Sequence, residues 1–336
     1  MRIEQNYPLL KHNTFGLDVK TNYFVEYDSE ADLQKLLHDE FFFSQRFWHI
    51  GQGSNLLFLG DFDGIIVHSA IREIMIIKED EHSVWIKVGA GNNWDSLVAY
   101  CVENKWGGLE NLSLIPGESG ASAVQNIGAY GVEVSERIEE VHTYSLETGE
   151  KRIFSNADCN YSYRNSFFKK PENKGKYYVT YIIFKLSKQP EFCLDYGNIR
   201  EKLSGKPISL QTIRETVIEI RESKLPDPKI TGNAGSFFVN PYLPMDHFIS
   251  LKNYYPNLPY YPVNETMVKV PAAWLIEQCG MKGKTVGGAA VHEKQALVII
   301  NQNHATGQEI ASLAEEICRS VKEKFNIELQ PEVNYI

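Results

Sequence analysis

The stretch of residues 115–131, Ile-Pro-Gly-Glu-Ser-Gly-Ala-Ser-Ala-Val-Gln-Asn-Ile-Gly-Ala-Tyr-Gly, is the feature that most constrains how this chain folds. It contains four glycines, four further small residues at 119 and 121–123, and one charged residue, Glu118. This composition argues against a core helix, because glycine is unfavourable in helices and no apolar residues recur at helical spacing. A flexible linker would carry more charge and fewer Val, Ile and Tyr residues.

Glycine lets a ligand approach backbone N–H groups closely and permits positive φ angles. Gln125 and Asn126 add amide groups that can hydrogen-bond to the edge of a heterocycle. The stretch therefore indicates a ligand-binding loop, and a long structural loop of tight turns is the alternative.

A second glycine turn follows a short predicted strand at 47–50. The turn is Gly51-Gln-Gly-Ser-Asn55, and an apolar run at 56–59 comes after it. This layout can present amides and a hydroxyl to phosphate, although a hairpin turn explains it equally well. It is not the dinucleotide fingerprint, because the third glycine is missing and no amphipathic helix follows. Two such loops in one chain suggest one long ligand that carries a pyrophosphate.

Charge and composition narrow the function classes. The 336 residues carry a net charge of −9, whereas a nucleic-acid-binding protein would show a basic excess. Hydrophobic residues at 43% and charged residues at 23% are typical of a globular protein, and the length allows two or three domains. Residues 1–10 do not resemble a signal peptide, and no apolar run approaches the roughly 18 residues of a membrane span. The five scattered cysteines lack metal-ligand spacing and predict reduced thiols.

The remaining patterns predict an α+β chain. Strands are predicted at 23–27, 47–50, 65–68, 84–88, 141–146, 177–186, 296–301 and 327–333. Helices are predicted at 29–38, 94–104, 212–221, 271–279 and 306–325. Capping signals begin three of these helices, at Ser29, Thr212 and Thr306.

Five ordered motifs resemble the flavin-binding half of one enzyme family. They are Asn13-Thr-Phe-Gly16, Gly51-Gln-Gly-Ser-Asn55, Gly108-Leu-Glu-Asn111, Ile115-Pro-Gly117 and Gln125-Asn-Ile-Gly-Ala-Tyr-Gly131. By these motifs the chain resembles the UDP-N-acetylenolpyruvoylglucosamine reductases, and the resemblance continues to about Val333. It implies a two-part FAD-binding domain of the vanillyl-alcohol-oxidase/PCMH type plus a C-terminal α+β substrate domain. The implied divisions are 1–68 and 69–206 for the two FAD-binding subdomains, 207–325 for the substrate-binding domain, and 326–336 for a closing strand.

The resemblance also implies binding residues. The implied flavin-binding residues are Gly51, Gly53, Ser54, Asn55, Pro116, Gly117, Gly120, Ala121, Gln125, Asn126, Gly128 and Tyr130. The implied substrate-binding residues are Tyr163, Tyr196, Arg221, Lys224 and Asn240. Surface solvation is the alternative for the last four of these. Tyr196 lies in an inserted segment that resembles the longer subtype of the family, in which a tyrosine loop covers the substrate. The chain departs from the family at two positions, with Val239 in place of Lys and Asn334 in place of Arg.

The implied reaction uses a catalytic trio of Arg164, Ser236 and Glu332. An enolpyruvyl ether accepts a hydride, negative charge develops on the adjacent carbon and its carboxylate, and that carbon is then protonated. The planar guanidinium of Arg164 suits the carboxylate. Ser236 matches the family's proton donor, and Glu332 matches a glutamate that we expect to donate a hydrogen bond, with a pKa raised by burial. Without the resemblance, Arg164 could be an exposed arginine at a strand edge and Ser236 a turn serine.

The resemblance therefore implies NADPH-dependent, FAD-mediated reduction of UDP-N-acetylglucosamine enolpyruvate to UDP-N-acetylmuramate in peptidoglycan synthesis. FAD and NADPH are the expected cofactors, and the UDP-sugar enolpyruvyl ether is the expected substrate. We expect a cytoplasmic monomer that contacts neither nucleic acid nor membrane and holds no metal. Two alternatives stay open, a flavin-dependent alcohol oxidase of the same fold and a non-catalytic flavin- or nucleotide-binding module. An oxidase would often tether its flavin covalently and would not need a serine proton donor.

Overall fold

A computed structural model describes residues 1–336, and the chain divides into two compact units. The first unit contains Met1–Tyr7, Thr21–Gln52 and Phe62–Ser223. The second contains Pro8–Lys20, Gly53–Asp61 and Lys224–Ile336. The finer domain division at residues 68, 206 and 325 stays a prediction.

The two units are built from short strands and nine α-helices. The strands are β1 (Arg2–Pro8), β2 (Lys20–Tyr27), β3 (Phe47–Ile50), β4 (Leu56–Leu57), β5 (Phe62–Ser69), β6 (Ile74–Glu79), β7 (Ser83–Gly89), β8 (Gly128–Ala129), β9 (Val132–Glu133), β10 (Ile138–Ser145), β11 (Lys151–Ser155), β12 (Tyr177–Ser187), β13 (Gly232–Ser236), β14 (Tyr242–Pro244), β15 (Tyr261–Pro262), β16 (Met267–Lys269), β17 (Thr285–Val286), β18 (Ala289–Val291), β19 (Val298–Asn301) and β20 (Asn334–Tyr335). The helices are α1 (Glu30–Leu37), α2 (Glu40–Phe43), α3 (Trp94–Glu103), α4 (Ser119–Gln125), α5 (Ile199–Lys202), α6 (Leu210–Lys224), α7 (Met245–Tyr254), α8 (Ala272–Gln278) and α9 (Gly307–Phe325). None of these helices combines the length and the apolar character that a membrane span requires.

Two sheets organise the first unit. In the first, the strand order is β1-β2-β5-β3, and both β2 and β3 run parallel to β5. The second is an antiparallel sheet of order β11-β10-β12-β7-β6. Its central strand β12 is rich in β-branched and aromatic residues, and because consecutive residues are buried, both faces of the strand are covered. The apolar side of α3 contributes to the core formed on this sheet.

Three smaller sheets form the second unit. The strand orders are β13-β19-β18-β17, β14-β16-β15 and β20-β4. The predicted closing strand at 327–333 is wrong, because the tail pairs as a strand only at Asn334–Tyr335, parallel to β4. Pro331, which has no N–H group, makes only an isolated bridge to Phe238.

Local capping signals predict two helix starts correctly. The Ser29 hydroxyl accepts the Asp32 N–H at 3.2 Å at the start of α1. Thr306 and Glu309 form a reciprocal capping box at the start of α9. The signal depends only on residues within one turn, so it does not require tertiary contacts.

The third predicted start is wrong, because the capping residue lies three positions earlier in the chain than Thr212. Helix α6 begins at Leu210, and the Ser209 hydroxyl accepts the Thr212 N–H at 3.2 Å. The capping side chain is therefore Ser209, and Thr212 lies inside the helix. The helix also extends beyond the predicted end at 221 to Lys224.

Candidate active site

The two glycine segments, Gly51–Gln52 of the glycine turn and the stretch 115–131, meet within the first unit. A single ligand whose pyrophosphate contacts both segments requires this arrangement. The Gly117 N–H donates to Gln52 Oε1 at 3.0 Å. A Cβ on Gly51 would come within 3.1 Å of Glu118 Oε2 and 3.5 Å of the Ala121 Cβ. Because these backbones are so close, one extended ligand can contact both segments.

The stretch 115–131 contains a helix, α4, contrary to the expectation from its composition. The N–H groups of Ser119 and Gly120 donate to the carbonyls of Asn92 and Ala90, both at 2.9 Å. A Cβ on Gly120 would lie 2.8 Å from the Ala90 Cβ, so glycine permits this contact. Tertiary hydrogen bonds thus override the low helix propensity. These two amides are bonded inside the protein and are not bare groups for a ligand.

The predicted amide side chains lie at the C-terminal end of α4. Asn126 has a left-handed φ of 46°, and its Nδ2 donates to Glu133 Oε2 at 2.9 Å and to Ser162 O at 2.8 Å. Gln125 Oε1, by contrast, is buried and has no hydrogen-bond partner. An unpaired buried acceptor is unfavourable, so a ligand that donates an N–H group would stabilise this position.

Arg164 is fixed on the backbone of the glycine stretch. Its Nη2 donates to Gly128 O, and its Nη1 donates to Asn126 O at 3.5 Å. The guanidinium carbon lies 5.2 Å from the centroid of the Tyr163 ring. A Cβ on Gly128 would come within 2.8 Å of Arg164 Nη1, so glycine leaves the space for the guanidinium. Arg164 itself has a left-handed φ of 53°, which is uncommon for a non-glycine residue.

The predicted tyrosine loop lies against the end of the glycine stretch. Asn111 Nδ2 donates to Tyr130 O at 2.9 Å and to Cys193 O at 2.8 Å, which ties the two segments together. A Cβ on Gly197 would lie 2.8 Å from Cδ1 of Tyr130. Tyr196, the preceding residue, is 48% exposed and accessible to a ligand.

Arg221 brings a second guanidinium to the first unit. Burial lowers the pKa of Arg221. The nearby Tyr130 and Asp95 raise this pKa, and the positive charge of Arg164 lowers it again. The Arg221 Nε is buried without a hydrogen-bond partner. Two interacting guanidinium groups, one with an unpaired donor, favour an anionic ligand.

In the second unit, the fold brings Ser236 and Glu332 close together. Ser236 ends β13, and the Glu332 N–H donates to the carbonyl of the next residue, Phe237, at 2.8 Å. Gly235 has a left-handed φ of 69°, and its N–H donates to Asn233 Oδ1 at 2.9 Å. This turn leaves the Ser236 side chain exposed to solvent.

The second half of the 51–55 turn supports the same pair within the second unit. A Cβ on Gly53 would lie 1.9 Å from His12 O, so backbone packing alone requires glycine there. Asn55 Nδ2 donates to Glu332 O at 3.1 Å. The Asn334 N–H and Nδ2 both donate to Asn55 O, at 3.0 and 3.4 Å. Asn334 therefore joins the tail to this turn, at a position where the family usually has Arg.

The remaining predicted cofactor- and substrate-binding residues differ from one another in solvent exposure and in their contacts. Pro116 and Lys224 are exposed, and Ser54 is half-buried. Asn240 Oδ1 accepts the Ala272 N–H at 2.9 Å at the start of α8, a structural contact that the sequence did not indicate. The roles of these residues toward substrate or cofactor stay predictions.

Three side chains that hold these segments were missed as site residues. The sequence patterns indicate Asn111 only as the last residue of a motif, and they indicate neither Asn233 nor Asp95 as a site residue. Asp95 Oδ1 accepts the Leu114 N–H at 2.6 Å, and Arg214 donates to both Asp95 oxygens at 2.6 and 2.9 Å. No local pattern indicates this pair, because it joins α3 to α6.

Comparisons with known proteins cover the whole chain. Residues 21–151 match the family described as FAD binding domain, and residues 227–336 match the family described as UDP-N-acetylenolpyruvoylglucosamine reductase, C-terminal domain. The UDP-N-acetylenolpyruvoylglucosamine reductase of Porphyromonas gingivalis is 51% identical over 338 residues and covers 100% of both chains. That of Bacteroides fragilis is 49% identical over 335 residues, which are 99% of this chain and 100% of the relative.

A solved structure shows the same fold. The crystal structure of UDP-N-acetylenolpyruvylglucosamine reductase from Thermus caldophilus aligns with a TM-score of 0.70 at 21% identity, covering 100% of this chain and 99% of that one. At this identity the likeness concerns the fold alone. The predicted α+β fold with an FAD-binding domain is confirmed.

Proposed function

The chain belongs to the family of UDP-N-acetylenolpyruvoylglucosamine reductases, and we propose that it reduces the enolpyruvyl group of UDP-N-acetylglucosamine enolpyruvate to give UDP-N-acetylmuramate. This reaction is a step of peptidoglycan synthesis and so serves cell-wall biogenesis, cell shape and cell division. FAD is the cofactor, and NADPH is the hydride donor. The observation that carries the proposal is the pairing of the Ser236 and Glu332 segments in a chain with full-length relatives of that name.

The residues of the first unit fit FAD. Gly51 and Gln52 lie against the Gly117 segment, where an extended dinucleotide can contact both. The unpaired Gln125 Oε1 suits an N–H donor on the edge of the isoalloxazine ring. When bound, FAD supplies the hydride chemistry. We propose that the flavin-binding residues are Gly51, Gly53, Ser54, Asn55, Pro116, Gly117, Gly120, Ala121, Gln125, Asn126, Gly128 and Tyr130.

Arg164 binds the substrate carboxylate in this proposal. Its contacts with the carbonyls of Gly128 and Asn126 use two guanidinium nitrogens and fix the plane of the group. The planar guanidinium suits a carboxylate, and its positive charge stabilises the negative charge that develops as hydride adds. Arg221, whose Nε has no hydrogen-bond partner, binds the diphosphate of the UDP-sugar together with Lys224.

Ser236 donates the proton that completes the reaction. Hydride adds to the terminal carbon of the enolpyruvyl group, and the Ser236 Oγ–H proton passes to the adjacent carbon. The alkoxide is reprotonated from water, which reaches this exposed side chain. Glu332 in its protonated form donates a hydrogen bond to the enolate-like intermediate, and Asn55 holds its backbone in place.

The same proposal includes the remaining substrate-binding residues, the domain divisions and the cellular location. Tyr163, Tyr196 and Asn240 complete the substrate side, and we propose domain divisions at 68, 206 and 325, with Tyr163 and Tyr196 contributed by the second FAD-binding subdomain. We propose a cytoplasmic monomer. Five free cysteines suit a reducing compartment, where UDP-sugars and NADPH are available.

The absorbance spectrum of the purified protein tests the proposal. We expect a yellow protein that releases intact FAD on denaturation, loses its flavin absorbance on addition of NADPH, and recovers it on addition of the enolpyruvyl substrate. A colourless protein that stays colourless after incubation with FAD would contradict the proposal. Flavin that remains covalently attached, with turnover of an alcohol, would support the oxidase alternative instead.

A further inference from the structure

His68 on β5 lies between two carboxylates inside the first unit. Its Nδ1 is 2.9 Å from Glu26 Oε2 on β2, and its Nε2 is 3.0 Å from Glu118 Oε1 and 3.2 Å from Oε2. The residue is 3% exposed, and its ring stacks on Phe24 with centroids 6.2 Å apart. A neutral imidazole donates from one nitrogen only, so donation to both carboxylates requires the imidazolium.

The surrounding charges favour that protonated form. Burial alone would lower the pKa of His68, but the hydrogen bonds and negative charges of Glu118 and Glu26 outweigh it and raise the pKa above its ordinary value. His49 on β3 also interacts with His68, and burial lowers the pKa of His49 to about 3. His49 is therefore neutral near pH 7, and His68 carries the charge.

Glu118 stands where the two glycine segments meet. Its Oε2 is the first atom that a Cβ on Gly51 would meet, at 3.1 Å, and the neighbouring Gly117 N–H donates to Gln52. Glu26 has a second cation, Arg2, at 3.8 Å, whereas Glu118 pairs with no cation other than His68. An unneutralised carboxylate at this junction would repel an anionic ligand.

We propose that His68 is a positioning residue for the diphosphate of the dinucleotide cofactor, because its imidazolium neutralises Glu118 and holds that carboxylate at the junction of the two glycine segments. The proposal rests on the function proposed above, in which FAD binds along these segments. It predicts FAD affinity that depends on pH. Protonated His68 favours binding, so tight binding is present below the pKa of His68 in the folded protein and is lost as the pH rises through that pKa.

The test measures the dissociation constant of FAD for the apoprotein, by quenching of flavin fluorescence, from pH 6 to 9.5. We expect His68→Gln to weaken FAD binding by about 10- to 100-fold at pH 7, the size of one unscreened charge interaction at short range. Glu118→Gln removes the repelling charge, so we expect it to bind FAD at least as tightly as the natural chain, with a flatter pH profile. The double variant should recover binding to within a few-fold.

A matched control is His142→Gln, which removes another His–carboxylate pair, 2.9 Å from Nε2 to Glu140 Oε2 on β10. It should leave FAD affinity and its pH dependence unchanged.

Two results would overturn the proposal. One is a double variant that binds FAD as weakly as His68→Gln, since His68 would then act by packing. The other is a Glu118→Gln profile with the pH dependence of the natural chain, and this arm stays decisive even if His68→Gln does not fold. A natural chain that binds no FAD at any pH would overturn the proposed function as well, whereas either of the first two results leaves that function standing.

Discussion

Replacing Ser236 with alanine should separate the two halves of the proposed reaction. NADPH first bleaches the flavin absorbance, and the enolpyruvyl substrate then restores it. Only the second half needs a proton on the substrate carbon. The change therefore tests one atom, Oγ of Ser236, in one half of the cycle.

The structure sets the size of the expected effects. The Ser236 side chain is exposed and its hydroxyl makes no hydrogen bond within the protein, so its loss should change the free energy of unfolding by less than about 0.5 kcal/mol. Loss of a general acid typically costs about 10²- to 10⁴-fold in rate, which corresponds to roughly 3–5 kcal/mol of activation free energy. The kinetic effect should thus far exceed the effect on stability.

Stopped-flow absorbance measures the two halves separately. In Ser236→Ala we expect bleaching by NADPH at nearly the natural rate, and recovery with the enolpyruvyl substrate slowed by at least about 100-fold. Ser250→Ala, which alters another exposed serine of the second unit on α7, should leave both rates unchanged. Equal slowing of both halves in Ser236→Ala would indicate a structural role, and slowing of neither would show that the proton comes from another group or from water.

Two further changes test other parts of the site, and a third tests the stability of the fold. Arg164→Lys keeps the charge but loses the planar guanidinium, so turnover should fall sharply while the circular dichroism spectrum stays unchanged; natural turnover would place Arg164 outside the site. Tyr196→Phe should raise the KM for the UDP-sugar without changing FAD affinity, and loss of flavin from this variant would contradict the predicted division of roles. Burial lowers the pKa of His49 to about 3, and the positive charge of His68 adds to this effect. His49 therefore contributes stability that is complete above its unfolded pKa of about 6.5 and is lost as the pH falls toward 3. Between pH 6.5 and 4, urea unfolding of His49→Phe should show a smaller loss of stability than the natural chain shows, and an equal loss would mean that His49 is not the titrating group.

Features that depend on neighbouring residues could be predicted from the sequence. The helix starts at Ser29 and Thr306 are set by hydrogen bonds within one turn, and both predictions are confirmed. The β-branched and aromatic composition of residues 177–186 likewise predicted a strand, and β12 spans Tyr177–Ser187. The ordered glycine motifs were specific enough to predict the family, the FAD-binding domain and the α+β fold, all of which are confirmed.

Contacts between distant segments could not be predicted in this way. Helix α4 forms despite Gly120 because the N–H groups of Ser119 and Gly120 donate to carbonyls of another loop, and no property of residues 115–131 specifies those partners. The left-handed backbone of Arg164 is likewise accompanied by contacts with the carbonyls of Asn126 and Gly128.

The pairing of buried charged residues could not be predicted from the sequence either. The sequence shows His68 and Glu118 as isolated residues of common types, and nothing in their spacing pairs them. Only the fold removes both side chains from water and places them 3.0 Å apart. An unpaired charge is unfavourable when it is buried, so a buried charged residue needs a partner of opposite charge. Which residue becomes that partner depends on which strands and loops pack together.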